Sequence, residues 1–268
     1  MAPRVVRISV APVKSFGLVH PDEVMLEPGG VRGDRRFWLR DEHGALYAGK
    51  RDGSILQIRP EWNEETRRLT LTFPSGDVVD GVVELGDEIE ATMYSWNLVR
   101  SHKVRGPWES AISEYVGRPL ELLWADDGAV DRTPRGGTVS LVSRGSLERL
   151  RDEMGVDDAI DGRRFRMLFE IDGVDAHEED TWIGAQVRIG EATLEFNGDI
   201  GRCVITSRDP DTGVSDVPTL VTLASYRREG RNEALPFGVY GAVLVPGRVR
   251  IGDIAQRGDY PLDAGRSV

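Results

Sequence analysis

Short apolar segments separated by polar residues and turn formers dominate the first hundred residues. Gly, Pro and Asp recur between them at intervals of roughly ten residues. The segments occupy residues 5–10, 36–40, 55–58, 69–73 and 90–94. Apolar residues that alternate with polar ones predict half-buried strands, and many short strands at this spacing are typical of a β-barrel or a β-sandwich.

The second half of the chain returns to the same pattern after residue 160. Further strands are predicted at residues 165–171, 185–189, 192–196, 243–245 and 249–251. We therefore expect a mainly β fold with a few helices. The pattern changes between residues 100 and 120, which predicts two domains, at residues 1–100 and 101–268.

Three segments have helical rather than strand periodicity. Residues 108–116 place apolar side chains at helical spacing, and Ser143 is a suitable N-cap for a helix that runs to Met154. Residues 220–228 predict a third helix, with Gly230 as the residue that closes it. These helices are too few to change the fold class.

Composition and charge narrow the possible partners. The 268 residues are 40% hydrophobic and 29% charged, and 34 Lys and Arg against 45 Asp and Glu give a net charge of −11. An acidic surface disfavours the binding of nucleic acid and of anionic membranes, so we expect neither as a partner. The N-terminal residues lack the apolar core of a signal peptide, and we expect a cytoplasmic protein.

Cys203 is the single cysteine, which excludes an intrachain disulfide and any site built from several cysteines. Arg202 precedes it, and Val204 with Ile205 predict a strand that would place Cys203 at a strand end. One interpretation is a small buried hydrophobic residue. The other is a thiolate that holds a soft transition metal or attacks a substrate.

Several basic residues follow or open predicted strands and could complement such a thiolate. They are Lys14 beside Ser15, the pair Arg35 and Arg36, and the pair Arg164 and Arg166. Together they would focus a local positive field on a phosphate, although solvated side chains at strand ends would give the same pattern.

These residues lie in motifs that resemble the MOSC family, named for the C-terminal domain of molybdenum cofactor sulfurases. The resemblance runs nearly end to end and is strongest toward the branch with the mitochondrial amidoxime-reducing component and its bacterial relatives. Its motifs include Pro12-Val-Lys14-Ser15, Asp34-Arg-Arg36-Phe37-Trp38, Arg164-Phe-Arg166 and Gly201-Arg-Cys203-Val-Ile-Thr206-Ser-Arg-Asp209-Pro-Asp-Thr-Gly213.

The resemblance implies a MOSC β-barrel packed against an N-terminal MOSC β-barrel domain, and a molybdenum cofactor of the molybdopterin type. Cys203 is then the metal ligand and the catalytic residue. The residues implied to bind the cofactor are Lys14, Ser15, Arg36, Ser143, Ser146, Arg166, Arg202 and Thr206. Pyridoxal phosphate is associated with the family, but no residue of this chain supports it.

The resemblance leaves three functions open. The first is a reductase of N-hydroxylated or N-oxide small molecules, with electrons from a separate ferredoxin- or flavin-type reductase. The second is a sulfurtransferase or sulfur carrier that uses a persulfide on Cys203. The third is a non-catalytic cofactor carrier or a repurposed site, because Leu168 replaces an Asn of the relatives and Lys50 stands where they often have Arg.

Overall fold

A computed structural model of the chain describes residues 2–93, 97–126 and 137–258. The strands of the N-terminal part are β1 (Arg4–Ile8), β2 (Glu23–Glu27), β3 (Gly30–Val31), β4 (Phe37–Asp41), β5 (Leu46–Tyr47), β6 (Arg59–Asn63), β7 (Arg68–Thr72), β8 (Val78–Val82), β9 (Glu84–Met93), β10 (Asn97–Arg105) and β11 (Leu120–Ala125). Those of the C-terminal part are β12 (Val139–Ser143), β13 (Phe169–Asp172), β14 (Gln186–Ile189), β15 (Ala192–Gly201), β16 (Pro236–Val245), β17 (Gly247–Arg250) and β18 (Ala255–Arg257). The helices are α1 (Trp108–Val116), α2 (Arg144–Met154) and α3 (Thr219–Tyr226).

The largest sheet is a nearly closed barrel of seven strands in the order β1-β13-β12-β16-β15-β14-β18. Its first and last strands meet, because Arg4 forms a bridge with Ile254 and the Val5 N–H donates to the Asp253 carbonyl at 2.9 Å. Closure pairs edges that would otherwise be exposed. The barrel encloses an apolar core that includes Phe169 and Phe196.

The N-terminal part is built around a five-stranded sheet in the order β5-β4-β11-β10-β9 and a three-stranded sheet of β6, β7 and β8. Their shared core includes Phe16, Phe37 and Ile58, all fully buried. Helix α1 covers this core with Trp108 and Ile112, and it ends where Gly117 adopts the left-handed conformation at φ 76°.

The two parts share strands. β1 belongs to the seven-stranded sheet, and β2 pairs with β17 near the C-terminal end of the described chain. Strand β10 runs across residue 100, where the sequence predicts the domain boundary. That boundary stays a prediction, but the pairing shows that both halves of the chain depend on each other for their hydrogen bonds.

The structure confirms the mainly β fold and the bounds of α1 and α2, and it corrects several segments. Two of the predicted strands, residues 55–58 and the region of Val204 and Ile205, contain 3-10 helices at Ser54–Gln57 and Val204–Ser207. A third 3-10 helix, Gly162–Phe165, includes the first residue of the predicted strand 165–171. Apolar runs this short fit either conformation, and packing decides between them.

The third helix also ends earlier than predicted, at Tyr226, with Arg227 rather than Gly230 in the capping position. Residue 94, the last of one predicted strand, lies outside the described residues. No helix within the described part of the chain combines the length and the hydropathy needed to cross a membrane.

Candidate functional site

A cavity of about 180 Å³ lies where loops of the N-terminal part meet the open end of the seven-stranded barrel. Lys14, Ser15 and Arg35 line it from the N-terminal part, and Arg166 and Cys203 line it from the barrel. The structure therefore brings together residues that are far apart in the sequence. Both Lys14 and Cys203 line this cavity, so both halves of the chain contribute to it.

Cys203 lies between the end of β15 and the 3-10 helix Val204–Ser207, with its side chain exposed at the mouth of the cavity. The Thr206 backbone N–H and hydroxyl both donate to the Cys203 carbonyl, at 3.1 and 3.0 Å. Thr219 in turn donates to the Thr206 carbonyl at 2.9 Å. These bonds fix the backbone under the thiol, and its exposure excludes the buried-cysteine interpretation.

Arg202 lines the same cavity, but its guanidinium reaches back into the barrel. It donates to the Phe237 carbonyl at 2.8 Å and to the Phe165 carbonyl at 3.2 Å, and it lies over the Phe165 ring at 5.3 Å. It therefore ties the segment that carries Cys203 to β16 and to the 3-10 helix Gly162–Phe165. Its predicted role toward a cofactor stays a prediction.

Lys14 and Arg35 are held by two backbone segments that run side by side. The Lys14 N–H donates to the Phe37 carbonyl at 2.8 Å, and the Arg35 N–H donates to the Ala11 carbonyl at 2.6 Å. The Asp34 carboxylate accepts from the Ala11 N–H at 2.7 Å and pairs with the Arg35 guanidinium. The Arg35 side chain also donates to the Arg166 carbonyl at 2.9 Å, which joins the N-terminal part to the barrel.

Three residues that line the cavity have a left-handed backbone conformation, which residues other than glycine rarely adopt. Ser15 has φ 70°, Arg35 has φ 47° and Arg166 has φ 55°, and they are half of the six such non-glycine residues in the described part of the chain. Each costs about 1–3 kcal/mol and persists only where the surroundings enforce it, which is typical of functional sites. The sequence contains no signal for this feature.

Four of the residues that the resemblance assigned to the cofactor do not line the cavity. Arg36 points the other way, donating to the Ala125 carbonyl at 3.0 Å and lying 4.7 Å from the centre of the Trp124 ring. Arg35 thus takes the place in the cavity that we expected for Arg36. Thr206 is buried beneath Cys203 and acts on its backbone.

Ser143 and Ser146, the other two, bind a buried carboxylate instead. Their hydroxyls donate to the two oxygens of Glu179, at 2.8 and 2.6 Å, and the Ser143 hydroxyl also accepts from the Ser146 N–H as the N-cap of α2. Burial raises the pKa of Glu179 against the lowering effect of these bonds. Glu179 could not be identified beforehand, because a pattern of residues does not show which carboxylate folding will bury.

The lining of the cavity also contains apolar side chains, which include Phe165, Met167 and Leu168. Leu168 is buried in the barrel core, and its backbone N–H donates to the Ser140 hydroxyl at 3.0 Å. Ser140 thus lines the cavity beside the position where the relatives' Asn was expected. Lys50 also lines the cavity and is exposed at its mouth.

The side chains that line the cavity suit a bound group that itself supplies most of the ligands of its metal. Among residues 2–93, 97–126 and 137–258, no three His, Cys, Asp or Glu side chains are close enough together to hold a metal ion. Cys203 offers one soft sulfur ligand, and Lys14, Arg35 and Arg166 offer cationic donors for a phosphate. These residues fit a metal complex with an anionic tail.

Comparisons with known proteins identify two family domains in the chain. The family model for the MOSC N-terminal beta barrel domain matches residues 2–119, and the model for the MOSC domain matches residues 133–256. Mitochondrial amidoxime reducing component 2 of Rattus norvegicus is 33% identical over 185 residues, which are 65% of this chain and 52% of that protein. Molybdenum cofactor sulfurase of Anopheles gambiae is 28% identical over 98% of this chain and 36% of its own length.

The chain thus spans about a third to a half of the length of these relatives. Among solved structures, the YUAD protein of Bacillus subtilis covers 97% of this chain and 98% of its own, with 13% identity and a TM-score of 0.45.

Proposed function

The chain belongs to the MOSC domain family, and from this premise we propose that it binds a molybdenum cofactor in the Cys203 cavity and reduces N-hydroxylated or N-oxide small molecules. The observation that carries the proposal is that one exposed thiol and three cationic side chains, Lys14, Arg35 and Arg166, belong to the lining of one cavity. Thiolate and cations are the two ligand types that a metal–pterin phosphate requires.

Each residue has a distinct part in this proposal. Lys14, Arg35 and Arg166 hold the phosphate by charge-assisted hydrogen bonds. Ser15 and Ser140 offer hydroxyls to the polar edge of the pterin. The Cys203 thiolate binds the metal, and the Thr206 bonds to its backbone limit where the sulfur can lie. When bound, the cofactor supplies oxygen-atom transfer chemistry that no side chain of the protein can perform.

The protein's own contribution is to orient the reactants and limit the access of water. Phe165, Met167 and Leu168 are apolar members of the lining, and in this proposal they limit the contact of bound reactants with water. Conversion of an N-hydroxylamine to the amine and water consumes two electrons and two protons, so a separate electron-donor protein is part of the proposal. The exposed positions of Cys203 and Lys50 leave the mouth of the cavity open to substrate and donor.

A second function is favoured by the exposure of the Cys203 thiol. An accessible thiol can carry a persulfide and pass its outer sulfur to an acceptor, which would make the protein a sulfurtransferase. The similarity to a molybdenum cofactor sulfurase over 98% of the chain is consistent with this function. The two functions differ in what Cys203 carries in the isolated protein.

The test is to produce the protein in a host that synthesises the cofactor, and to measure bound molybdenum, the absorption spectrum and the intact mass. The proposal expects about one molybdenum per chain and N-hydroxyl reduction with an electron donor. Cys203→Ser replaces the soft thiolate by a mostly protonated hydroxyl and is expected to abolish this activity while leaving the fold intact.

A persulfide adds one sulfur atom to Cys203 without metal, and this result would favour the sulfurtransferase. Bound cofactor without reduction of any N-hydroxylated compound would identify a carrier or a repurposed site. Undiminished reduction by Cys203→Ser would contradict the ligand assignment.

A further inference from the structure

Arg164, one of the basic residues that the sequence offers as partners of a phosphate, does not line the Cys203 cavity. Its side chain is buried, at 8% exposure. The guanidinium donates two hydrogen bonds to the two carboxylate oxygens of Asp216, at 2.6 and 2.8 Å. Because a buried arginine cannot give up its charge, it requires such a partner, and two parallel bonds fix both the distance and the orientation of the pair.

Asp216 connects this ion pair to the segment that carries the thiol. Its backbone N–H donates at 3.0 Å to the carbonyl of Ser207, the last residue of the 3-10 helix that begins directly after Cys203. Ser207 is itself buried, at 7% exposure. Arg164 therefore holds the end of this short helix through Asp216, while the Thr206 bonds to the Cys203 carbonyl hold its start.

The other member of the pair belongs to the segment that carries Arg166. Arg164 lies in the 3-10 helix Gly162–Phe165, and Arg166 is the C-cap of that helix. The Arg166 N–H donates to the Arg163 carbonyl at 3.0 Å, which fixes the backbone of the cavity residue to the helix. One buried ion pair thus joins the two short helices that adjoin Arg166 and Cys203, and both of these residues line the cavity.

The neighbouring Arg163 forms a similar pair at a different place in the loop after Cys203. It donates two hydrogen bonds to Asp211, at 3.0 and 2.7 Å. The Arg163 side chain is 29% exposed and that of Asp211 is 54% exposed. Asp211 lies in the turn that the hydrogen bond from the Gly213 N–H to the Asp209 carbonyl closes, away from Ser207. Exposed pairs of this kind contribute little to a structure, so this pair serves as a comparison.

We propose that Arg164 is a positioning residue of the Cys203 site, and that it acts through Asp216 to set the placement of the thiol relative to Arg166. The expected effect on cofactor retention rests on the function proposed above. The expected effect on the thiol does not, because Cys203 is exposed in the chain itself. When the pair is broken, the helix after Cys203 loses its support at Ser207 and the thiol becomes less restrained.

The first experiment measures the rate at which iodoacetamide alkylates Cys203, the single cysteine, in cofactor-free protein without urea. Rates are compared on the plateau at high pH, where the thiol is fully deprotonated and a changed thiol pKa has no effect. Arg164→Gln and Asp216→Asn are each expected to raise the rate at least about threefold, because local opening of the segment increases access to the thiol. Unchanged rates in both variants would overturn the proposal.

The double variant Arg164→Gln with Asp216→Asn tests whether the two residues act as one unit. It is expected to react no more than about 1.5-fold faster than either single variant, since each single substitution already breaks the pair. Effects that multiply in the double variant would show that the residues act separately and would overturn the proposal. If Arg164→Gln does not fold, Asp216→Asn decides, since the Asp209 carboxylate remains 3.7 Å from the guanidinium in that variant.

Arg163→Gln is the matched control, because it makes the same substitution at the next residue of the same helix and breaks the exposed pair with Asp211. It is expected to leave the alkylation rate within about 1.5-fold of wild type. Urea denaturation of each variant gives its stability beside its rate. An equal rise in Arg163→Gln and Arg164→Gln would assign the effect to a general loosening of the loop and overturn the proposal.

The second experiment measures molybdenum retained after dialysis in protein produced with the cofactor. Arg164→Gln is expected to retain at least about threefold less than Arg163→Gln, since a site loses affinity when the residues that support its ligands are released. Equal retention in these two variants would overturn the proposal. Absence of molybdenum from wild type would instead overturn the proposed function, and the alkylation rates in cofactor-free protein would still decide the role of Arg164.

Discussion

At the scale of single residues, Arg35 and Arg36 are neighbours in the chain but lie in different environments. Arg35 lines the cavity and donates to the Arg166 carbonyl, while Arg36 packs against Trp124. Arg35 has a left-handed backbone, with φ 47°, immediately before the strand β4 that follows Arg36. Two adjacent arginines therefore have separable roles, one toward the cavity and one toward the stability of the N-terminal part.

This separation predicts opposite effects of two matched substitutions. Arg35→Gln is expected to lower molybdenum retention after dialysis about tenfold or more, because a charge-assisted hydrogen bond contributes about 1.5–3 kcal/mol. Arg36→Gln is expected to leave retention within about twofold and to lower the free energy of unfolding by about 1 kcal/mol, through the lost contact with Trp124. Measured metal content and urea denaturation check both. The reverse order of retention would restore the assignment to Arg36.

At the scale of elements, the loop that carries Lys50 packs directly on the loop that follows Cys203. A Cβ atom on Gly213 would lie 2.0 Å from the Gly53 carbonyl oxygen, and one on Gly53 would lie 2.0 Å from the Gly213 carbonyl oxygen. A Cβ atom on Gly49 would lie 2.9 Å from the end of the Ile205 side chain. Glycines at positions 53 and 213 allow two backbones from different halves of the chain to touch, which holds the segment after Lys50 against the segment after Cys203.

Gly213→Ala is expected to open this contact. The substitution places a Cβ against backbone that cannot yield, in addition to the cost of about 1–2 kcal/mol for a side chain at φ 71°. Gly44→Ala is the matched control, since Gly44 has φ 76° and a Cβ there would have no atom within 4 Å. Urea denaturation should show a greater loss of stability for Gly213→Ala, and iodoacetamide should react with Cys203 at a changed rate in this variant alone. Equal losses and unchanged reactivity in both variants would contradict the role of the contact.

A buried carboxyl behind the start of helix α2 is expected to make the stability of the protein dependent on pH. Glu179 is fully buried behind this helix, and burial raises its pKa above the value of the unfolded chain. The unfolded state therefore releases this proton at lower pH than the folded state does. The favourable contribution of the protonated carboxyl is complete below about pH 4.5 and is lost as the pH rises through the folded-state pKa.

Glu179→Gln keeps the shape of the side chain and removes the titration. We expect the stability of the variant relative to wild type to increase as the pH rises from about 4.5 to about 7.5. The measurement is urea denaturation at several pH values, with Glu148→Gln on the exposed face of α2 as the control. A stability difference that is constant over this range would show that Glu179 does not titrate there.

At the scale of the whole molecule, the sheets interlock the two ends of the chain. β1 forms an edge of the seven-stranded barrel and meets the segment before β18, while β2 pairs with β17. The Cys203 cavity is lined by residues of both parts, although none of them comes from these four strands. The arrangement of the site thus depends on both halves of the chain rather than on either half alone.

We expect the protein to unfold in a single cooperative transition. Trp38, Trp62, Trp108 and Trp124 report on the N-terminal part, and Trp182 reports on the barrel core. Urea denaturation followed by fluorescence and by circular dichroism should give coincident midpoints within wild type and, separately, within Trp182→Phe, whose fluorescence reports only on the N-terminal part. Separate midpoints for the two probes within one protein would show that the parts fold independently.

Much of the fold and part of the site could be predicted from the sequence. The bounds of α1 and α2 are local properties, since periodicity and a capping residue such as Ser143 act within a few positions. The membership of Lys14, Ser15, Arg166, Arg202 and Cys203 in one cavity agrees with the motifs in which they lie. Their predicted chemical roles await the experiments above.

The tertiary structure alone decided the remainder, because it depends on contacts between distant positions. Only the fold shows that Arg35 rather than Arg36 enters the cavity, that Ser143 and Ser146 bind Glu179, and that Arg164 binds Asp216. Residues 55–58 and Val204–Ser207 became 3-10 helices for the same reason. Local sequence sets the preference of each segment, whereas burial and backbone direction, which follow from packing between segments far apart in the chain, determine what each side chain contacts.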